Sequence, residues 1–230
     1  MDIALFGATG GTGKCILKQA LPEGDSHIRA LVRSPGKLQI ENSKLDTLKG
    51  NVLNQEDVFK TIDGTDGVLC TLGNTANNPS DLLTKATSHI ISAMNRYNVN
   101  RLVVLTSMGL GSSRNQIPWV AKLLTRTFLS DLMADKRRQE QLIERSNLEW
   151  TIIRPGGLTD TLQTKDIYKG TDAEIMAGPI SRTEVANFML ETVTSQKFLR
   201  KKPVITSKQS FDLPSMYSQF RQIVSRILTH

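Results

Sequence analysis

Short apolar runs rich in β-branched residues alternate along the chain with stretches in which apolar positions recur every three or four residues. That alternation predicts β-α-β units closing into a parallel sheet. Strands are expected at Asp2–Phe6, His27–Val32, Asp46–Lys49, Gly67–Thr71, Arg101–Ser107 and Trp150–Arg154. Several are continuously apolar, as strands must be when helices cover both faces of a sheet. Helices are expected at Thr12–Ala20, Glu56–Ile62, Asp81–Tyr97, from near Pro118 to Arg145, and at Arg182–Thr194. Pro118 suits a first helical turn, where an N–H has no partner anyway. A last helix is expected from Phe211 to His230, with Met216, Tyr217, Phe220, Ile223, Val224, Ile227 and Leu228 along one face. No internal repeat or low-complexity linker divides the sequence. The pattern predicts an α/β fold, a doubly wound parallel sheet in a single domain, with 1–194 as its core and 195–230 as a strand and helix extension. Such a sheet holds its ligands at the C-terminal ends of its strands.

Composition narrows the class. At 230 residues, 39% hydrophobic and 22% charged, the chain has the balance of a folded protein able to bury a full core. No apolar run approaches the ~20 residues that span a bilayer, and no leader-peptide pattern follows Met1, so no membrane association is expected. Cys15 and Cys70 form neither CxxC nor metal-ligand spacing. They read as small buried hydrophobes, which points to a reducing compartment, the cytoplasm. A net charge of +7 leans toward anionic partners: nucleic acid, anionic lipid, a phosphorylated cofactor or a carboxylate-bearing substrate. The clusters Lys136-Arg137-Arg138 and Arg200-Lys201-Lys202 read as solvated surface, so charge alone does not choose among these.

The turn Gly7-Ala8-Thr9-Gly10-Gly11-Thr12-Gly13 does choose. It follows a strand and opens a helix, the context in which glycines let backbone approach a pyrophosphate and a helix N-terminus meets its charge. This is the phosphate turn of a Rossmann-type dinucleotide fold, with spacing Gly7, Gly10, Gly13. Gly13-Lys14 resembles the end of a nucleoside-triphosphate loop, but Ala8 stands where that motif needs glycine and Cys15 where it needs a hydroxyl. The second strand ends Ala30-Leu31-Val32-Arg33. An NAD site places a carboxylate near this point for the ribose hydroxyls; Arg33, with Lys37 nearby, instead suits a 2′-phosphate. NADP(H) is therefore the expected cofactor. After the third strand, Gly50-Asn51-Val52 puts an amide where adenine would lie.

The motifs GATGGTG, LVR at the end of strand two, GNV and the closing IIRPGG resemble the atypical short-chain dehydrogenase/reductase superfamily. Leu72-Gly73-Asn74-Thr75, Asn78-Pro79-Ser80 and Leu105-Thr106-Ser107 look closest to its biliverdin-IXβ reductase, or flavin reductase, branch. The resemblance covers Met1 to about Thr194. It implies that Gly7, Thr9, Gly10, Gly11, Thr12 and Gly13 wrap the pyrophosphate, that Arg33 holds the 2′-phosphate, and that Asn51 and Val52 hold the adenine. It further implies that Leu72, Gly73 and Asn74 line the middle of the cofactor. Ser107 would stand beside the nicotinamide as the candidate catalytic residue, with the Arg154-Pro155-Gly156-Gly157 backbone on the far side. Two positions depart from the pattern. Asn51 replaces an aspartate, and Gly156 or Gly157 stands where the flavin-reductase branch carries histidine.

Ordinary short-chain dehydrogenases protonate a carbonyl oxygen with a tyrosine four residues before a lysine on one helix face. Lys136, followed by Glu140, fits the lysine place, but Leu132 fills the tyrosine place. Ser107 reads equally as a hydroxyl satisfying backbone at a strand end. His27, His89 and His230 form no ligand cluster or nucleophile pairing, so no metal is expected. Trp119, Lys122 and Arg126 are candidates to meet a flat anionic acceptor; the same segment also reads as an amphipathic helix covering the sheet. The expected function is an NADPH-dependent reductase of flavin or an open-chain tetrapyrrole. A non-catalytic NADP(H)-binding regulator and an RNA- or complex-associated member of the superfamily stand as alternatives. A monomer is expected, with a dimer through the C-terminal helix as the other arrangement, and no nucleic-acid partner.

Overall fold

The computed structural model describes residues 1–23, 26–73, 78–109, 130–160, 166–171 and 175–208. The expected helix over 211–230, the first part of the helix expected from Pro118, and the candidates Asn74, Trp119, Lys122 and Arg126 lie outside these residues.

Strands β1 (Asp2–Phe6) and β2 (His27–Val32) have the expected bounds. They are followed by β3 (Leu45–Lys49), β4 (Gly67–Cys70), β5 (Arg101–Leu105) and β6 (Glu149–Pro155). The helices among the described residues are α1 (Gly11–Glu23), α2 (Gln55–Ile62), α3 (Leu82–Tyr97), α4 (Ser130–Glu144) and α5 (Arg182–Val193). Four short strands complete the set: β7 (Gly157–Thr159), β8 (Ile167–Gly170), β9 (Pro179–Ser181) and β10 (Val204–Ser207).

The main sheet has eight strands in the order β3-β2-β1-β4-β5-β6-β10-β8. All its pairs are parallel except β10 with β8. This is the Rossmann order, which reverses direction between β1 and β4 and opens a crevice there. Alternate residues of each central strand feed opposite layers. Ile3 and Leu5 of β1 pack with Ile16 and Leu17 of α1 and Val185 and Met189 of α5. Ala4 and Phe6 pack with Val58 and Ile62 of α2 and Ala86 and Ile90 of α3. Both faces are covered, which is why the strands are continuously apolar.

Two readings are corrected. α1 is longer than Thr12–Ala20: Leu21 is buried against the sheet and carries the helix on through Pro22. β5 stops at Leu105, not Ser107; the Thr106 amide still donates to Ile153, but Thr106 turns its hydroxyl to Glu140 at 2.8 Å. Past β6 the chain adds a feature the sequence pattern did not mark: β7 pairs with β9 in a separate two-stranded ladder. Cys70 and Cys15 are free thiols. Burial in β4 pushes the Cys70 thiol up to about 11 against a bond from the Leu72 backbone, which keeps it protonated and inert.

Candidate cofactor-binding site

A cleft of about 1150 Å³ runs along the C-terminal ends of the strands, across the reversal between β1 and β4. Its centre is the glycine turn. Gly7 has φ +90°, a left-handed conformation, and a Cβ there would stand 2.8 Å from the Thr71 carbonyl carbon and 2.9 Å from the Leu72 nitrogen. Gly10 N–H closes the turn on Gly7 O at 3.0 Å, and Lys14 N–H makes the first helical bond, to Gly10 O, at 2.9 Å. The amides of Gly11, Thr12 and Gly13 therefore precede any intrahelical acceptor and supply the donors and positive dipole end that bind an anion.

Gly7, Thr9, Gly10, Gly11 and Thr12 all line the cleft. Gly13 does not. Its site faces inward, where a Cβ would collide with Gly7 O, so its contribution is to let α1 approach the turn.

At the adenosine end, Arg33, Asn51 and Val52 line the cleft, joined by Lys37 on the single 3-10 turn Pro35–Lys37. The Arg33 guanidinium donates to Asn78 Oδ1 at 3.0 Å, which holds it across the mouth of the cleft. The Asn51 oxygen accepts from Leu53 N–H at 3.0 Å while its own N–H donates to Asp57. Its oxygen already serves the turn, so adenine would meet the remaining lone pair or the amide NH2. His89 of α3, without a role in the sequence reading, lies with Nδ1 3.0 Å from Val52 O and ties that loop to the helix. In the middle, Leu72 and Gly73 line the wall.

At the far end the structure departs from expectation. Ser107 is not among the lining residues; Leu105, Thr106 and Lys136 are. The Ser107 hydroxyl is buried without a hydrogen-bond partner among the described residues. Nor do Arg154, Pro155, Gly156 or Gly157 line the cleft; Leu158 does. Their backbone is committed to structure: Pro155 O accepts from Met108, Gly156 N–H donates to Ile205 O, and Gly157 N–H donates to Gly178 O. Gly156 is glycine because a Cβ would strike Gly178 O and would lie 2.6 Å from Thr206 Oγ1. Arg154 is 2% exposed and its side chain forms a two-pronged pair with Glu140, 3.1 Å and 2.5 Å.

Lys136 corrects the surface reading of its cluster. It is half-buried on the cleft wall, with Nζ donating to Thr106 O at 3.2 Å, while Arg137 and Arg138 are exposed. Burial lowers its pKa from the ordinary lysine value, and the charge of Glu140 one turn on opposes that shift. Arg182, the first residue of α5, also lines the cleft, and the sequence reading did not pick it out. Its signal was its place at a helix start, but only the β7–β9 register shows that this start faces the glycine turn.

Among the described residues the cleft presents Lys14, Arg33, Lys37, Lys136 and Arg182 and no Asp or Glu. With the cradle that Gly7 and Gly13 keep open, this lining fits a phosphorylated dinucleotide.

The sequence profile of the NAD(P)H-binding family matches residues 7–196. The chain belongs to that family. Its fold is that of solved short-chain dehydrogenases/reductases. A chloroplastic protein of Arabidopsis thaliana is 28% identical over 205 residues, covering 85% of this chain and 72% of the relative. An oxidoreductase of Dothistroma septosporum is 24% identical, over 99% of this chain and 90% of the relative. In structure the chain is similar to the anaerobilin reductase ChuY of Escherichia coli O157:H7, with a TM-score of 0.77, 20% identity and coverage of 92% of this chain and all (100%) of the other.

Proposed function

We propose that this protein is an NADPH-dependent reductase that passes hydride to a flat conjugated acceptor, a flavin or an open-chain tetrapyrrole. The observation that carries the cofactor half is that the described charged residues lining the cleft are all basic. Its cations stand at three stations: Arg33 and Lys37 for a 2′-phosphate, Lys14 and Arg182 for the diphosphate, and Lys136 at the hydride end. NADPH supplies the hydride; the protein supplies position. Lys136, fixed to Thr106 O, serves to hold the ribose at that end. The likeness to an anaerobilin reductase supports a tetrapyrrole-sized acceptor.

The acceptor half follows from the proton. Reducing a simple ketone generates an alkoxide that needs a positioned acid. Among the described residues no tyrosine lines the cleft: Tyr97 stacks edge-on to Phe59 in another layer, and Tyr168 packs against Gly170. A conjugated acceptor spreads the charge and takes its proton from water. The same feature favours a second reading, a redox-sensing protein that binds NADP(H) without turnover. An RNA-binding role draws less support, since five of the cations behind the net +7 face the cleft. We further propose a monomer in the reducing cytoplasm. No helix among the described residues is long and apolar enough to cross a membrane.

The deciding experiment measures NADPH oxidation with flavin mononucleotide, a bilin and a set of aldehydes and ketones. Turnover of the first two is expected, slowed about tenfold or less by Ser107→Ala, or ~1.4 kcal/mol. Rapid ketone reduction abolished by Ser107→Ala would defeat the reading, and binding without turnover of anything would favour the sensor. Exchange of Arg33→Asp should weaken NADPH by roughly 2–4 kcal/mol and leave NADH nearly unchanged. Equal affinities for NADH and NADPH in the unmodified protein would remove Arg33 from the 2′-phosphate.

A further inference from the structure

Arg182 occupies an electrostatically unfavourable position. It is the first residue of α5, whose N-cap is Ser181, and it lies across the start of α1. Both helix ends carry positive dipole charge, which favours anions and opposes a cation. The side chain is nonetheless only 14% exposed and sits in the cleft. Gly11 makes room for it: a Cβ at Gly11 would lie 2.6 Å from Arg182 Cδ and 2.7 Å from Nε. Gly11 has no positive φ, so what its missing Cβ provides is room for the arginine stem in this pose.

Among the described residues the guanidinium pairs with one anion, Asp160 Oδ1 at 2.6 Å. The pairing comes from register. Thr159 of β7 lies opposite Ser181 of β9 at the end of the parallel ladder, so Asp160 and Arg182 leave it side by side. Asp160 is 60% exposed, and an ion pair on so wet a carboxylate contributes little. A cation between two helix N-termini, held by a weak exposed partner beside the phosphate turn, is poised to exchange that partner for a better anion.

We propose that Arg182 is a diphosphate-clamping residue, held over the glycine turn by Asp160 and transferred to the dinucleotide when it binds. It joins the Gly11, Thr12 and Gly13 amides, its side chain packed against Gly11 at the start of α1. The β7–β9 ladder thereby becomes part of the binding apparatus, although neither strand supplies a residue to the expected cofactor set beyond Gly157. The proposal rests on NAD(P)H binding alone and survives failure of the acceptor reading.

The test is titration of NADPH, NADH and adenosine 2′-monophosphate, the last carrying no diphosphate. Arg182→Gln should weaken NADPH and NADH by the same factor, roughly ten- to hundredfold as for a lost charge-assisted bond, and leave adenosine 2′-monophosphate unchanged. Asp160→Asn should tighten both dinucleotides, by about two- to fivefold, and the gain should vanish in the Arg182→Gln background. This second variant alters an exposed carboxylate and carries the test even if Arg182→Gln folds poorly. If Asp160→Asn instead weakens dinucleotides as Arg182→Gln does, the pair is only a staple of the ladder and the proposal falls. It falls equally if Arg182→Gln binds NADPH within twofold of the parent, or loses adenosine 2′-monophosphate in parallel.

Discussion

Gly13→Ala is expected to cost at least about a hundredfold in NADPH affinity and to lower thermal stability as well. The added Cβ would collide with Gly7 O and would stand 2.8 Å from Ala8 Cα, both backbone atoms that no rotamer change can move. Relief requires α1 to retreat from the turn, and the first-turn amides retreat with it. Overpacking of this kind costs about 1–3 kcal/mol, a fall of roughly 2–12 °C in Tm for a chain of this size. The affinity loss is larger because binding depends on several donors converging on one diphosphate, and a shift of about 1 Å misaligns all of them. Titration and a melting curve read both effects. Gly36→Ala is the stability control, since nothing lies within 4 Å of a Cβ there. A Gly13→Ala protein that binds NADPH normally would mean that the diphosphate does not sit on α1.

The second large effect is expected at Glu140. Its carboxylate accepts from Arg154 Nε and Nη2 and from Thr106 Oγ1, and all three residues are buried. Glu140→Ala strips the Arg154 guanidinium of this counter-charge in a low-dielectric layer, a change that costs about 3–5 kcal/mol. Urea denaturation should show it. The paired replacement Glu140→Leu with Arg154→Met should recover most of the loss, because it removes both charges together. Glu140 is also the charge that opposes the burial-driven drop in the Lys136 pKa. In any Glu140 variant that folds, Lys136 should lose its proton at lower pH, and the alkaline limb of cofactor binding should move down. A stability loss under about 1 kcal/mol in Glu140→Ala would show the pair to be far better solvated than its burial indicates.

The central sheet was legible because burial on both faces leaves a local mark. Ile3-Ala4-Leu5-Phe6 and Ile28 through Val32 are apolar at nearly every position, and their bounds could be read directly. β7 and β9 left no such mark. Each is three residues long, and Gly157–Thr159 finds Pro179–Ser181 only after the fold has brought them together. β8 is half-buried at the sheet edge and antiparallel to β10, a pairing that no local pattern announces. The site divides in the same way. The glycine turn and Arg33 are adjacent in sequence to strand ends, which places them on the cleft without any tertiary information. Arg182 depends on the β7–β9 register. Ser107 was displaced from the cleft by the early end of β5, which gives the lining position to Thr106. Arg154 looked like backbone at the nicotinamide and is a buried half of an ion pair.

α3 begins without help from its own sequence: Asp81, at its N-cap, makes no side-chain hydrogen bond there. The cap comes from α4, where Asp135 accepts from Leu83 N–H at 2.8 Å, Thr84 N–H at 3.1 Å and Thr84 Oγ1 at 2.5 Å. The next residue along α4 is Lys136. One turn of helix thus holds both the pin on which α3 is hung and a cation of the cleft wall, so any sliding of α4 that moved Lys136 would also unseat its neighbour. The two helices behave as a single mechanical part, and the depth of the cleft there is set by their joint position.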